Sequence, residues 1–139
     1  MLPSDVEIVA GIEAANFSEP WSMNSFYQEL EDVNFMFLVV EEANHVIGYL
    51  GLQCSLDEAD ITTIAVEQSF RRKGAANLLF ETAFAKCRQR GIVRMNLEAR
   101  VSNYAALAMY DKMGFKRVGM RKRFYRFPTE DALVMTKYL

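Results

Sequence analysis

Two kinds of hydrophobic pattern alternate along the chain. From Gly74 to Arg90 the residues Ala75, Leu78, Leu79, Thr82, Ala83 and Cys87 recur at intervals that place them on one helical face, and Gly91 offers a C-terminal stop. Shorter helical patterns cover Asp5 to Asn16, Ser22 to about Glu31 with Ser22 as N-cap, and Ser102 to about Met113, with Ser102 as N-cap and Gly114 just past the end. Asn34 to Glu42 and His45 to Cys54 are instead strand-sized runs of Val, Ile, Phe and Leu, and Ala43-Asn44 between them reads as a hairpin turn. Further strands are predicted over Ala59 to Val66, Ile92 to Ala99, Phe115 to Met120 and Ala132 to Tyr138. The sum is an α/β fold, a mixed and mostly antiparallel central sheet flanked by helices, with hairpins at both ends. Phe35, Met36, Phe37, Phe80 and Phe84 are expected in its core.

Composition narrows the class without changing it. The 139 residues, 51% hydrophobic and 24% charged, fit a single globular domain over 1–139. The longest apolar run, Phe35 to Val40, is far short of the roughly 18 residues a membrane helix needs. Pro3, Asp5 and Glu7 do not form a basic and then apolar leader, so a cytoplasmic protein without a membrane role is expected. Cys54 and Cys87 lack the spacing of a zinc site or a disulfide framework, and no metal is expected. His45, beside the hairpin turn, reads as a surface residue.

The net charge of -2 conceals a division. Residues 1–70 hold 13 of the 18 acidic residues and no Lys or Arg, whereas all 16 basic residues lie from Arg71 onward. Such a split suits one anionic and one cationic ligand, although internal attraction between the halves would explain it as well. The basic half opens with Arg71-Arg72-Lys73-Gly74-Ala75-Ala76-Asn77 at a strand-to-helix turn. There the free backbone N–H groups, the positive end of the helix dipole, small residues and three cations combine into a phosphate cradle; the alternative is a solvated helix cap. It is neither a Walker loop nor a dinucleotide fingerprint.

Ile64-Ala65-Val66 followed by Arg71-x-x-Gly74-x-Ala76 resembles the acetyl-CoA signature of the GNAT acetyltransferase superfamily. The run Asn96-Leu97-Glu98-Ala99-Arg100-Val101-Ser102-Asn103, then Ala108-Met109-Tyr110 and Gly114-Phe115, resembles the family's second cofactor-binding block. Pro20-Trp21-Ser22 and Glu130-Asp131-Ala132 extend the likeness to its ribosomal-protein-alanine N-acetyltransferases. The resemblance implies the GNAT fold, acetyl-CoA as acetyl donor, and the N-terminal amine of a basic ribosomal protein as acceptor. Ile64, Ala65, Val66 and residues 71–77 would bind the cofactor, with Asn103 along its pantetheine arm and the Val66 N–H meeting the oxyanion. Glu98 matches the family's proton acceptor and Tyr110 its proton donor. Two departures stand out: only Leu2-Pro3-Ser4 precedes the first helix where the family opens with a strand, and Ala76 replaces the commoner Gly.

Each role has a plainer reading beside it. Tyr110 on a helix is ordinarily a core aromatic, and Glu98 could pair with Arg94 or Arg100. Trp21 is either a staple at a helix start or part of the substrate entrance that the resemblance suggests. Glu29, Glu31 and Asp32 in the acidic half are placed to attract a cationic acceptor. A small-molecule amine is the alternative acceptor. Nucleic-acid binding through Lys116, Arg117, Arg121, Lys122, Arg123 and Arg126 with their neighbouring aromatics is disfavoured by a sequence pI of about 5.5. A monomer or weak dimer is expected.

Overall fold

Four helices and six strands follow in the predicted order in a computed structural model that describes residues 1–71 and 73–139. They are α1 (Val6–Asn16), α2 (Met23–Leu30), β1 (Phe35–Glu42), β2 (His45–Ser55), β3 (Glu58–Val66), α3 (Ala75–Gln89), β4 (Arg94–Arg100), α4 (Tyr104–Lys112), β5 (Lys116–Tyr125) and β6 (Glu130–Tyr138). Ala43 and Asn44 both take positive φ, 50° and 66°, the left-handed pair of a tight hairpin turn. Ser22 caps α2 as expected, its hydroxyl accepting from the Ser25 N–H. Ser102 does not cap α4. Asn103 does, through Oδ1 to the Ala106 N–H, while Ser102 donates its hydroxyl to Glu130. Leu78 departs from the predicted apolar face of α3: Phe80 and Phe84 are buried, and Leu78 is 59% exposed.

The sheet runs β1-β2-β3-β4-β6-β5. Its single parallel contact joins β3 to β4 and lasts three pairs, Glu58 with Arg94, Ala59 with Met95 and Asp60 with Asn96. Beyond Asp60 the register of β3 on β2 slips, Gly51 facing Thr63 but Leu52 facing Ile61, so Thr62 is an extra residue. A bulge of this kind bends its strand and sharpens its twist. β3 therefore turns away from β4, which continues beside β6 alone to Arg100, and a cleft opens between their C-terminal ends.

Each face has its own core. α3 covers one face, where Phe80, Phe84, Phe115, Leu50, Leu52, Met95, Leu97 and Tyr110 form the larger cluster. α1 and α2 cover the other, burying Val6, Val9, Ile12, Phe26, Phe37 and Tyr49. Into this second core α1 inserts the carboxylate of Glu13, 2% exposed. A buried carboxylate is tolerable only if its oxygens are satisfied. Here Oε1 accepts from the Tyr49 and Thr63 hydroxyls, both at 2.5 Å, and Oε2 accepts from the Trp21 N–H at 2.9 Å. Burial and the Glu13 charge push the Tyr49 phenol well up from its ordinary value.

β1 lies at the sheet's edge, and among the described residues no strand precedes α1; a 3-10 turn over Pro3–Asp5 does. The amine of Met1 donates to the Phe37 carbonyl at 3.0 Å, satisfying one group of that edge.

Gly51 is fixed by close approach. A Cβ there would stand 2.7 Å from Cε1 of Phe37 and 3.0 Å from Oγ1 of Thr62. Gly51→Ala is expected to lower stability by about 1–3 kcal/mol, the cost of overpacking a filled core. Urea unfolding measures it, and an unchanged midpoint would show that the Phe37 ring does not sit over this glycine.

Candidate active site

Ladder alternation decides what the open edge of β3 offers. The Glu67 N–H donates to the Ile47 carbonyl at 2.7 Å, so Ile47 and Glu67 are a hydrogen-bonded pair. The next pair, Gly48 with Val66, is then non-bonded across the ladder, and so is Leu50 with Ile64. The backbone polar groups of Ile64 and Val66 consequently face away from β2, into the cleft. The Val66 carbonyl accepts from Arg71 Nε at 3.2 Å, which leaves its N–H as the donor aimed at the opening. Ala65 points the other way, its side chain in the core under α1.

The loop after β3 delivers the chain to α3 through Gly74, whose φ of 83° lies in the left-handed region that glycine adopts freely. No side chain caps this helix, and its first turn has no acidic residue. The first intrahelical bond is Leu78 N–H to the Gly74 carbonyl, so the N–H groups of Ala75, Ala76 and Asn77 have no helical partner. A Cβ on Gly74 would meet nothing within 4 Å. An uncapped 15-residue helix with an open approach at its N-terminus suits a pyrophosphate, so the predicted cradle fits the anionic part of acetyl-CoA. Lys73 rests over the Phe70 ring. Arg71 is turned from the cradle: besides the Val66 carbonyl, its guanidinium bonds Asn16 at the end of α1. Arg72 lies outside the described residues.

Glu98 projects from β4 on the face of α1 and α2, opposite to Leu97 and Ala99. Its side chain is 28% exposed, and its ion-pair partner is not Arg94 or Arg100 but Arg121 of β5, Nε to Oε1 at 3.3 Å. Arg94 pairs with Glu58, and Arg100 stacks on Tyr125, 4.6 Å from the ring centroid. Tyr110 is 7% exposed, with its ring edge-on to Phe80 and Phe115. Tyr110 is thus a core aromatic, as the plainer reading of it expects. Burial pushes its phenol up to about 12, and the Tyr125 phenol adds to the rise. Tyr125 is itself pushed up to about 12, by burial first and then by the Glu98 charge, with Arg100 opposing.

Asn103, at the N-cap of α4, spends its Oδ1 on Ala106, leaving the amide NH2 available. At the start of α2, Pro20, Trp21, Ser22, Ser25 and Glu29 line a shallow depression. Glu31 and Asp32 are not part of it. Glu31 is the exposed C-cap of α2, and Asp32 accepts from the Asn34 N–H at the entry to β1. The loop carrying Trp21 reaches the β5-β6 hairpin: Glu19 pairs with Arg126 at 3.0 Å, and Arg100 donates to Ser18 Oγ and to the Arg126 and Pro128 carbonyls. Tyr125 and Glu13 are thus site neighbours that sequence patterns did not single out, while Arg121 and Arg100 were named there in other roles. Phe124-Tyr125 within a basic stretch was the available signal for Tyr125, and it pointed toward nucleic acid.

The profile of the acetyltransferase (GNAT) family matches residues 6–115. The chain is 32% identical over 136 residues to the ribosomal protein bS18-alanine N-acetyltransferase of Salmonella typhimurium, covering 95% of this chain and 90% of that protein. A Bacillus subtilis relative provisionally given the same name is 39% identical over 132 residues, 94% of this chain and 87% of its own. The crystal structure of the ribosomal-protein-S18-alanine N-acetyltransferase from Escherichia coli superposes with a TM-score of 0.91 at 27% identity, covering 99% of this chain and 90% of that one.

Gly74→Asp sets a carboxylate at the mouth of the cradle. Acetyl-CoA affinity, read by titration calorimetry, is expected to fall at least 10-fold, while the circular dichroism spectrum is retained. Unchanged affinity would remove the pyrophosphate from this loop. The buried phenol of Tyr110 makes a second prediction. Its folded pKa is raised, so its contribution to stability is full below about 10 and is lost as pH climbs through about 12. The stability of the wild type relative to Tyr110→Phe should therefore fall across that window. A constant difference from pH 9 to pH 12 would mean that the hydroxyl is not buried.

Proposed function

The chain belongs to the GNAT acetyltransferase family and is an acetyl-CoA-dependent N-acetyltransferase, and from that premise we propose that it acetylates the N-terminal α-amine of alanine on a ribosomal protein. Residues 1–139 would act as one domain in the cytoplasm, by direct attack in a ternary complex. Support for the acceptor comes from the names of relatives that match this chain over nearly its whole length. The observation that carries the chemistry is Glu98, a partly exposed carboxylate at the parted strands, on the face opposite to the large α3 core.

When bound, acetyl-CoA supplies an activated acetyl thioester. The free N–H groups of Ala75, Ala76 and Asn77, with Lys73, would hold its pyrophosphate. Ile64, Val66 and Asn103 would flank the pantetheine arm, with Ala65 between them turned into the core, and the Val66 N–H would donate to the reacting carbonyl oxygen. An α-amine with a pKa near 7.7–8.0 is mostly protonated at pH 7 and cannot attack until a base relieves it of a proton. Glu98 is that base. Its partner Arg121 is 59% exposed in its side chain and can yield its place to the incoming ammonium. Tyr110, protonated throughout the working range, donates toward the leaving sulfur. Trp21 and Glu29 would border the path of the acceptor, with Glu31 and Asp32 adding to a negative field that draws a basic N-terminus.

Mass-spectrometric acetylation of N-terminal alanine peptides tests this reading. A peptide with Lys or Arg in its first six positions should react about 10-fold faster at low salt than its Glu-substituted counterpart, and the gap should close as salt rises. Glu98→Gln should cost about 100-fold or more near neutral pH, with partial recovery where the amine is already deprotonated. Acetylation of small polyamines but not of the peptides would favour the other acceptor class, and a Glu98→Gln variant with the wild-type pH profile would remove the base.

A further inference from the structure

We propose that Glu13 is a positioning residue for the acceptor, one buried carboxylate that fixes both walls of the cleft. This rests on the reading that the Trp21 loop borders the acceptor path. Glu13 contacts no reacting atom in that reading. It acts through the groups it holds. On one side Oε2 accepts from the Trp21 N–H, pinning the loop between α1 and α2. On the other, Oε1 accepts from Thr63, the residue next to the Thr62 bulge that swings β3 away from β4, and from Tyr49 on β2.

The loop has few other anchors of comparable burial. Its other side-chain ties, Ser18 to the Arg126 carbonyl, Arg100 to Ser18 Oγ and Glu19 to Arg126, are on the surface, where such contacts are weak and screened. The Trp21 ring packs on Phe26, Phe35 and Phe37 at centroid distances of 5.3, 6.2 and 6.1 Å, which orients the indole but leaves the backbone hinge free. Among the described hydrogen bonds, the one that ties the Trp21 backbone to a buried side chain is the part-buried bond to Glu13. The carboxylate also suits its partners by chemistry. It is acceptor-only when ionised, and three donors from three different elements converge on it. Removing it leaves two hydroxyls and one N–H to find other partners, and the Trp21 N–H can do so only by moving its loop.

Trp21 is the chain's single tryptophan, so its fluorescence reports this position without any ligand. In Glu13→Ala the emission should shift to the red and acrylamide quenching should rise, in a protein that still unfolds cooperatively. The KM for an N-terminal alanine peptide should rise at least 10-fold, with kcat and the acetyl-CoA KM within about threefold of wild type. Glu13→Gln should be largely rescued: its carbonyl can accept from Trp21 while its NH2 donates to hydroxyls that reverse direction. Tyr49→Phe, which folds with Glu13 and the Trp21 bond in place, should keep the peptide KM within about threefold even if its melting temperature falls. A Gln variant as impaired as Ala would overturn the proposal in favour of a role for the charge, and a Tyr49→Phe variant with the raised KM would overturn it in favour of general loosening. If Glu13→Ala does not fold, these two variants and their fluorescence decide alone. Absence of peptide acetylation by the wild type would count against the acceptor, whereas unshifted fluorescence in Glu13→Ala or, failing that variant, a red shift in Tyr49→Phe would count against Glu13.

Discussion

Two neighbouring strands that pair at their start and then part are the constraint on which the rest of this molecule depends. β3 and β4 are parallel, so the chain must cross over between them, and α3 is that crossover. A crossover helix begins where the preceding strand ends, and α4 likewise begins where β4 ends. The N-termini of both helices are thereby delivered to the same end of the sheet. Because the strands have separated there, the polar groups on the open edge of β3 find no strand partner and remain free for a ligand. Donors on the strand edge and an uncapped helix terminus then face one opening, the location favoured for ligands in open α/β sheets.

The parting has a cost, and the two cores bear it. A sheet opened along its middle loses ladder bonds that would otherwise hold β3 to β4, so its halves must be joined through the layers above and below. On one face α3 packs against β1, β2 and β3, while its cluster also takes in Met95, Leu97 and Met135 from the other half. On the other face the second core stops at β3, and the link to β4 is polar: Asn96 donates to Glu58 and Asp60 and accepts from Thr136. The division of charge along the chain follows the same seam. The acidic residues 1–70 build β1, β2, β3 and their two helices, and the basic remainder builds β4, β6 and β5. Ion pairs such as Glu58 with Arg94 and Glu19 with Arg126 tie the halves, so part of the segregated charge is spent on internal attraction and part is left to face ligands.

What the sequence disclosed depended on the range of the interaction involved. Elements governed by periodicity and local turn chemistry were legible: the Ala43-Asn44 hairpin, Ser22 as a cap, Gly74 and Gly91 at the ends of α3. Ser102 and Asn103 are both good caps, and the choice between them was made 28 residues away, where Glu130 claims the Ser102 hydroxyl. Leu78 fits the helical spacing, but Phe80 and Phe84, larger and one register over, win the interior. Glu98 and Tyr110 were nameable through resemblance. Most of their surroundings were not, since Arg121 and Tyr125 reach the site by strand pairing and hairpin closure, which leave no mark in a local pattern; Arg100, on the same strand as Glu98, was within reach of sequence spacing but takes Tyr125 as its partner. Glu13 is the sharpest case. An acidic residue within an apolar helix gives no sign that two hydroxyls, on strands 36 and 50 positions further along, will meet it.

The phenol of Tyr110 imposes a further constraint on how protons can move. Raised to about 12 by burial, it is roughly two units weaker as an acid than a free tyrosine, and further from any thiol, whose ordinary value is about 8.5. Handing its proton fully to a sulfur of that basicity is uphill by about 5 kcal/mol if nothing else changes. The same burial that weakens the acid strengthens it as a hydrogen-bond donor to an adjacent anion, because in a site screened from water little competes for the bond. The role open to Tyr110 is therefore to hold a hydrogen bond that tightens as negative charge grows on the sulfur, with the proton following late or not at all. In the proposed mechanism, net removal of a proton would then fall to the acceptor side of the cleft, where Glu98 is partly open to solvent. Under the proposed mechanism the chemistry would divide accordingly: a dry phenol among aromatic rings for the leaving group, a partly exposed carboxylate beside an exposed arginine for the amine.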